Sequence, residues 1–250
     1  PHEFKHIESI DFDHVWFSYD NNDVYALEDF TLSIKAGEFI GIVGPSGSGK
    51  STLLSLLMGL YKPTKGAIYI NGIDIAKYDS SVLRHLMGYV FQQAYLFKGS
   101  IKDNLTLFDT SISYEDMVDA AKQVNLDSMI EQLPEGYNTP VGYLGSLLSD
   151  GQKQLLAFGR TLIRKIPILL LDEATANIDS HTEKQIQASI ENIRGTKTIV
   201  SIAHRLSTVQ DANKIVYMEY GKIIESGSFE ELIDSKGAFY NLWSNQQSGS

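Results

Sequence analysis

The sequence contains no cysteine. That removes disulfides, thiolate zinc sites and cysteine nucleophiles together, and it fits a reducing compartment. Positive charge is also short. Lys and Arg number 21 against 31 Asp and Glu, a formal net charge of -10. Affinity for nucleic acid rests largely on cations that neutralise phosphates, so DNA and RNA are disfavoured as main partners, although a local anion site is not. Long apolar runs are missing too: no stretch reaches the ~18 residues of a membrane-crossing helix. The opening Pro1-His2-Glu3-Phe4-Lys5 leads into no apolar leader segment. The remainder, 43% hydrophobic and 21% charged, suits a globular protein and excludes disorder and collagen. A length of 250 residues implies one large domain or two smaller ones. The chain starts without methionine and finishes Gln247-Ser248-Gly249-Ser250. Both ends read as cuts in a longer polypeptide.

Hydrophobic spacing orders the elements. Residues 10–17 and the segment carrying Leu27, Phe30, Leu32 and Ile34 alternate, as half-buried antiparallel strands do. Phe39-Ile40-Gly41-Ile42-Val43 is a continuous apolar run, the pattern of a buried parallel strand. A glycine-rich loop follows, then an apolar helix from Lys50 to about Leu60. Residues 67–70 read as a strand turning at Asn71-Gly72. From about 95 to 160 no strand is evident, and 114–124 and 126–133 have helical spacing. Strands return at 168–171, 198–203 and 215–218, with helices at about 180–194 and 229–235. Strands alternating with helices predict an α/β fold with a mostly parallel sheet, and the strand-free middle predicts an inserted helical subdomain.

Gly44-Pro45-Ser46-Gly47-Ser48-Gly49-Lys50-Ser51 fits the phosphate-binding pattern G-x-x-x-x-G-K-[ST]. It follows a strand and opens a helix, the context that the chemistry requires. Glycines let successive N–H groups converge on one anion, and the helix N-terminus adds partial positive charge. Lys50 is expected to reach the β- and γ-phosphates and the Ser51 hydroxyl to ligate Mg²⁺, with Thr52 ending the anion site. Downstream, Ile168-Leu169-Leu170-Leu171-Asp172-Glu173 ends an apolar strand in two acids, at the edge where open α/β sheets bind ligands. Asp172 is the expected Mg²⁺ carboxylate and Glu173 the general base for an attacking water. Two acids after a strand also start helices, so the pair gains its meaning from the loop upstream.

A phosphate loop and an acidic strand end do not separate a kinase from a GTPase or a motor. Five further segments do. Leu148-Ser149-Asp150-Gly151-Gln152 resembles the L-S-G-G-Q signature of the ABC ATPases. Gln92, after Tyr89-Val90-Phe91, is similar to that family's Q-loop, and Ala176-Asn177-Ile178-Asp179 to its D-loop. His204, after Ser201-Ile202-Ala203, is similar to its H-loop histidine, and Tyr19 to the aromatic residue that stacks on adenine. Each alone has a bland reading: a packed strand aromatic, a structural histidine, a solvated glutamine. Together, in family order from about residue 10 to 247, they identify the chain as resembling the nucleotide-binding domain of an ABC transporter.

The resemblance implies a P-loop NTPase core at 1–94 and 165–250, with N-terminal antiparallel strands, and an inserted helical subdomain at about 95–164. It implies ATP and Mg²⁺ as cofactors. ATP would lie between two domains arranged head to tail, each nucleotide touching one chain's Gly44–Thr52 loop and the other chain's Ser149, Gly151 and Gln152. Gln92 would sense Mg²⁺ and water, His204 would bind the γ-phosphate, and Asp179 would organise the dimer contact. Phe17-Ser18-Tyr19 and Leu96-Phe97-Lys98-Gly99-Ser100-Ile101 resemble the exporter branch, which implies a membrane domain fused before residue 1 and a place at the cytoplasmic face of the membrane. An importer subunit and a non-transport ABC ATPase are the alternatives.

Three departures stand out. Asp150 occupies the signature's Gly-Gly pair, Tyr143 stands where exporters commonly carry a glutamate, and Asn177-Ile178 replace the usual D-loop residues. With Glu173 and His204 kept, this resembles one half of a heterodimeric bacterial exporter. The second nucleotide-binding domain is then expected to be a non-identical chain whose own site this altered signature serves.

Overall fold

Alternation of apolar and polar side chains makes β1 (Ser9–Phe17) and β2 (Leu27–Lys35) in the computed structural model, which describes residues 6–20, 23–90, 94–141, 148–172 and 179–249. The two strands pair antiparallel, Ile10 opposite Ile34 and Phe12 opposite Leu32, and turn their apolar side chains inward. The register shifts between Phe12 and Val15, a β-bulge latched by His14 Nδ1 against Asp29 at 2.6 Å. β3 (Phe39–Val43) is buried throughout, as its unbroken apolar run predicts. α1 (Lys50–Leu57) buries six of its eight residues, so it is a core helix rather than a surface one. β4 (Lys65–Ile70) and β5 (Ile73–Asp74) form the expected hairpin, with Ile70 opposite Ile73 and Asn71-Gly72 as the turn.

Asp79 caps α2 (Ser80–Leu86) by accepting from the Ser81 N–H, and β6 (Met87–Val90) follows directly. The middle of the chain holds β7 (Gly99–Ser100), α3 (Ile101–Thr106), α4 (Tyr114–Gln123), α5 (Asp127–Glu131), β8 (Pro140–Val141) and α6 (Asp150–Ile163). Then follow β9 (Ile168–Asp172), α7 (Ser180–Ile193) and three strands in succession, β10 (Thr198–Ile202), β11 (Lys214–Glu219) and β12 (Lys222–Gly227). The chain ends in α8 (Phe229–Ser235) and α9 (Ala238–Ser248).

Two compact units result. The first spans 1–88, 167–173 and 195–250; the second spans 89–166 and 174–194, and the boundary falls within β6 and again just after β9. The first unit carries a four-stranded antiparallel sheet, ordered β2-β1-β4-β5, and the six-stranded order β12-β11-β3-β10-β9-β6. In the latter, β3 runs parallel to β10 and β11, and β9 parallel to β10; β12 is antiparallel to β11. Its core is built by Ile40, Ile42, Leu53, Leu54 and Ile199, all fully or almost fully buried. The second unit is helical, with Leu105, Ala121, Val124, Leu155 and Phe158 buried. One detail departs from the sequence reading. The strand-free middle contains a short antiparallel pair, β7 with β8, Ser100 opposite Pro140. Two residues are too few to show a period of two.

Candidate functional site

The loop from Gly44 to Gly49 joins β3 to α1 and owes its course to glycine. Gly44 and Gly49 take φ 149° and 98°. A Cβ at Gly44 would run into the Met218 carbonyl oxygen, and one at Gly49 into that of Ala26. Only glycine combines the left-handed backbone with such close packing. The Ser48 N–H donates to the Pro45 oxygen at 3.3 Å, and the Ser48 oxygen accepts from the Gly221 N–H at 3.0 Å, which seats the loop on the β11–β12 turn. No described side chain caps α1, so its first N–H groups remain for an outside acceptor at the positive end of the helix dipole. The Ser48 hydroxyl is buried and has no partner among the described residues. Lys50 is buried as well, its Nζ donating to the Gly44 oxygen at 2.5 Å and the Pro45 oxygen at 2.9 Å. Burial pulls its pKa below the usual lysine value, and the carboxylate of Asp172 acts in the opposite direction. Pro45, Ser46, Gly47 and Ser51 are open to solvent.

Register brings two more candidates to the same sheet edge. Ile202 on β10 stands opposite Asp172 on β9 and Ile42 on β3, and the Ala203 N–H donates to the Ile42 oxygen at 3.0 Å. The chain leaving β3, the acid ending β9 and the histidine just past β10 therefore share one carboxyl edge. His204 is exposed there. In the same unit Tyr19 is 55% exposed, its hydroxyl 2.6 Å from Thr52 Oγ1. Its ring stands nearly perpendicular to those of Phe17 and Tyr61, with centroids at 4.8 and 5.4 Å. More than half of the residue's surface remains open to solvent.

In the helical unit the signature is itself a capping box. Ser149 Oγ accepts from the Gln152 N–H at 3.1 Å, and Gln152 Oε1 accepts from the Ser149 N–H at 2.9 Å. The serine hydroxyl keeps its own proton to donate. Gly151 presses α6 against α7: a Cβ there would collide with the Thr182 side chain. Thr182 is held in turn by Asp179, whose carboxylate accepts from its N–H at 3.0 Å and its hydroxyl at 2.7 Å. These bonds draw the Asp179 pKa below the usual carboxylate range. Asp150 sits in the first helical turn, its side chain 79% exposed and 3.4 Å from Lys153 Nζ.

Residues 27–176 match the ABC transporter family. The chain belongs to that family. Over 238 residues it is 44% identical to a Streptococcus pneumoniae protein named as an ABC transporter ATP-binding protein, covering 95% of this chain and 40% of that one. A Staphylococcus aureus protein named as a multidrug export ATP-binding/permease protein is 43% identical over 237 residues, 95% of this chain and 41% of its own length. A solved bacterial Atm1-family ABC exporter with ATP bound matches at TM-score 0.89 and 39% identity, over 98% of this chain and 43% of that one. The chain therefore spans about two fifths of the length of these relatives. It has the ABC form of the P-loop NTPase fold, N-terminal antiparallel strands included.

Gln92 and Glu173 lie outside the described residues, as do Tyr143, Asn177 and Ile178. Among the described residues no group of three or more His, Asp or Glu could hold a metal, and no helix is long and apolar enough to cross a membrane. The expected metal donors that fall among the described residues, the Ser51 hydroxyl and the Asp172 carboxylate, are hard oxygens. Such a sparse oxygen set suits Mg²⁺, which keeps waters and phosphate oxygens for most of its shell.

Two contacts escaped the sequence reading. Thr182 links Asp179 to Gly151, and Gln246 on α9 bonds the backbone on both sides of Arg205. Thr182 follows the capping Asp179 at N3, a local signal that was available. Gln246 lies 42 residues from His204, and no spacing rule joins them.

Proposed function

We propose that this chain is the ATP-binding and ATP-hydrolysing motor domain of an ABC exporter, an ATPase core at 1–94 and 165–250 with a helical subdomain at about 95–164. The observation that carries the reading is the convergence, on one sheet edge, of an uncapped helix N-terminus behind a glycine loop, a buried lysine, Asp172 and His204. The relatives' names support it. The N–H groups of residues 45–51 and the Lys50 ammonium would bind the phosphates, and the Tyr19 ring would stack on adenine. Ser51, Asp172 and Gln92 would hold Mg²⁺, which when bound neutralises charge between the β- and γ-phosphates. Glu173 takes a proton from water while the water oxygen attacks the γ-phosphorus; the bond to the β–γ bridging oxygen breaks and ADP departs. His204 donates to the γ-phosphate. Ser149, Gly151 and Gln152 serve the nucleotide held by the opposite domain.

The partners follow from the same reading. A transmembrane domain fused N-terminally would carry the transported substrate, placing this domain at the cytoplasmic face of the membrane. The opposite nucleotide-binding domain would be a non-identical chain, the inference resting on Asp150 beside Glu173 and His204. The test is Glu173→Gln. ATP affinity should stay within about threefold, while turnover falls at least about 100-fold, the usual contribution of a positioned base. Substantial residual hydrolysis would remove Glu173 from that role.

A further inference from the structure

We propose that Gln246, near the end of α9, is a positioning residue for the His204 turn. The inference rests on the reading of His204 as the group that binds the γ-phosphate.

The geometry is specific. Gln246 Nε2 donates to the His204 carbonyl oxygen at 2.7 Å, and Gln246 Oε1 accepts from the Leu206 N–H at 3.1 Å. One side-chain amide thus bonds the chain on both sides of Arg205, as a single residue of a neighbouring parallel strand would. Arg205 is extended, with φ -97° and ψ 121°, as such pairing requires. Both flanks of the turn are already anchored. Upstream, the Ala203 N–H is bonded to β3. Downstream, the Thr208 hydroxyl donates to the Arg205 oxygen at 2.7 Å, and Val209 packs so closely on Gly41 that a Cβ there would stand 2.6 Å from the valine Cβ. Gln246 spans the interval between these anchors, the interval that carries the imidazole.

The helix that presents Gln246 is itself fixed. The Phe239 N–H at its start donates to Glu225 at 2.7 Å. Phe239 is fully buried, and Phe229 lies edge-on to both Phe239 and Trp243, with centroids 5.9 and 6.0 Å apart. Trp243 is three residues before Gln246, so the aromatic seat and the amide lie on one side of the helix. The seat of the C-terminal helix therefore sets the direction in which His204 leaves β10.

The test uses the full 250-residue chain and ATP turnover, with kcat and KM separated and Tm recorded. Gln246→Met keeps the side-chain stem and removes both hydrogen bonds. It should lower kcat about fivefold, with KM for ATP within about twofold and Tm nearly unchanged. Gln246→Glu keeps the acceptor but sets a carboxylate against the His204 carbonyl, and should lower kcat at least as much. In a His204→Ala background, read by single-turnover hydrolysis, Gln246→Met should add no further loss. Wild-type kcat in Gln246→Met, a change in KM alone, or an additive loss in the double variant overturns the proposal. Full turnover in His204→Ala, a different result, overturns the reading of His204 and the proposal with it.

Discussion

Tyr19 combines an exposed ring with a tethered edge. Its hydroxyl meets Thr52 at 2.6 Å, and two aromatic neighbours hold the ring perpendicular to themselves. If the face stacks on adenine, the ring rather than the hydroxyl supplies affinity. Stacking of a base on an aromatic residue is worth about 1–3 kcal/mol by alanine substitution. Tyr19→Ala should therefore weaken ATP binding about tenfold or more, whereas Tyr19→Phe, which loses only the bond to Thr52, should cost about threefold at most. Calorimetric titration of both variants checks this, and equal losses would place the energy in the hydroxyl. Lys50 shows the contrary economy of a buried cation. Its ammonium is satisfied by two carbonyls of its own loop and steadied by Asp172, so incoming phosphate oxygens must exceed these partners in strength, as charge-assisted acceptors do.

At the scale of elements, the junction of α6 and α7 has the tightest tolerance. Gly151 meets Thr182, and Asp179 holds Thr182 in place. Gly151→Ala must push the two helix starts apart or strain Thr182. It should destabilise the chain by about 1–3 kcal/mol in urea unfolding, the usual cost of overpacking. Thr182→Ser removes the methyl group that a new Cβ would strike first, so the double variant should recover part of the loss. Strict additivity would assign the damage elsewhere. These elements also show where the sequence is readable. Motifs formed by near neighbours are open to inspection: the glycine loop, the acid at the end of an apolar strand, the S-x-x-Q box of the signature. So are strands long enough to display a period, such as β1 and β3. The bulge at His14 is not, because it depends on the partner strand, and neither is the β7–β8 pair, which is two residues long. Gln246 is hidden for a third reason. A glutamine at the end of a surface helix looks solvated until the fold returns that helix to the turn after β10.

At the scale of the whole molecule, the question is what a second copy or a relative meets at the signature. On the proposed reading, Asp150 puts one of the chain's excess acids at the position that faces another domain's triphosphate. An unscreened carboxylate 4 Å from one phosphate charge would cost about 4 kcal/mol at an effective dielectric near 20. The observed side chain is far from that limit. It is 79% exposed, and Lys153 lies 3.4 Å away, so water and a counter-charge bring the penalty toward the bulk-water figure of about 1 kcal/mol. The acid also favours the positive end of α6, which glycine would not. The two effects oppose each other and are separable by readout. In a Glu173→Gln background that retains ATP, Asp150→Gly should tighten ATP-dependent self-association about fivefold at low salt, while the melting temperature without nucleotide falls slightly. The gain should shrink at high salt, because exposed charges are screened over about 10 Å at 0.1 M. Sedimentation equilibrium at two ionic strengths measures it. A gain that does not depend on salt would transfer the effect from charge to backbone freedom. No gain at all would mean that Asp150 leaves the signature competent, and that a second identical chain serves as well as a different one.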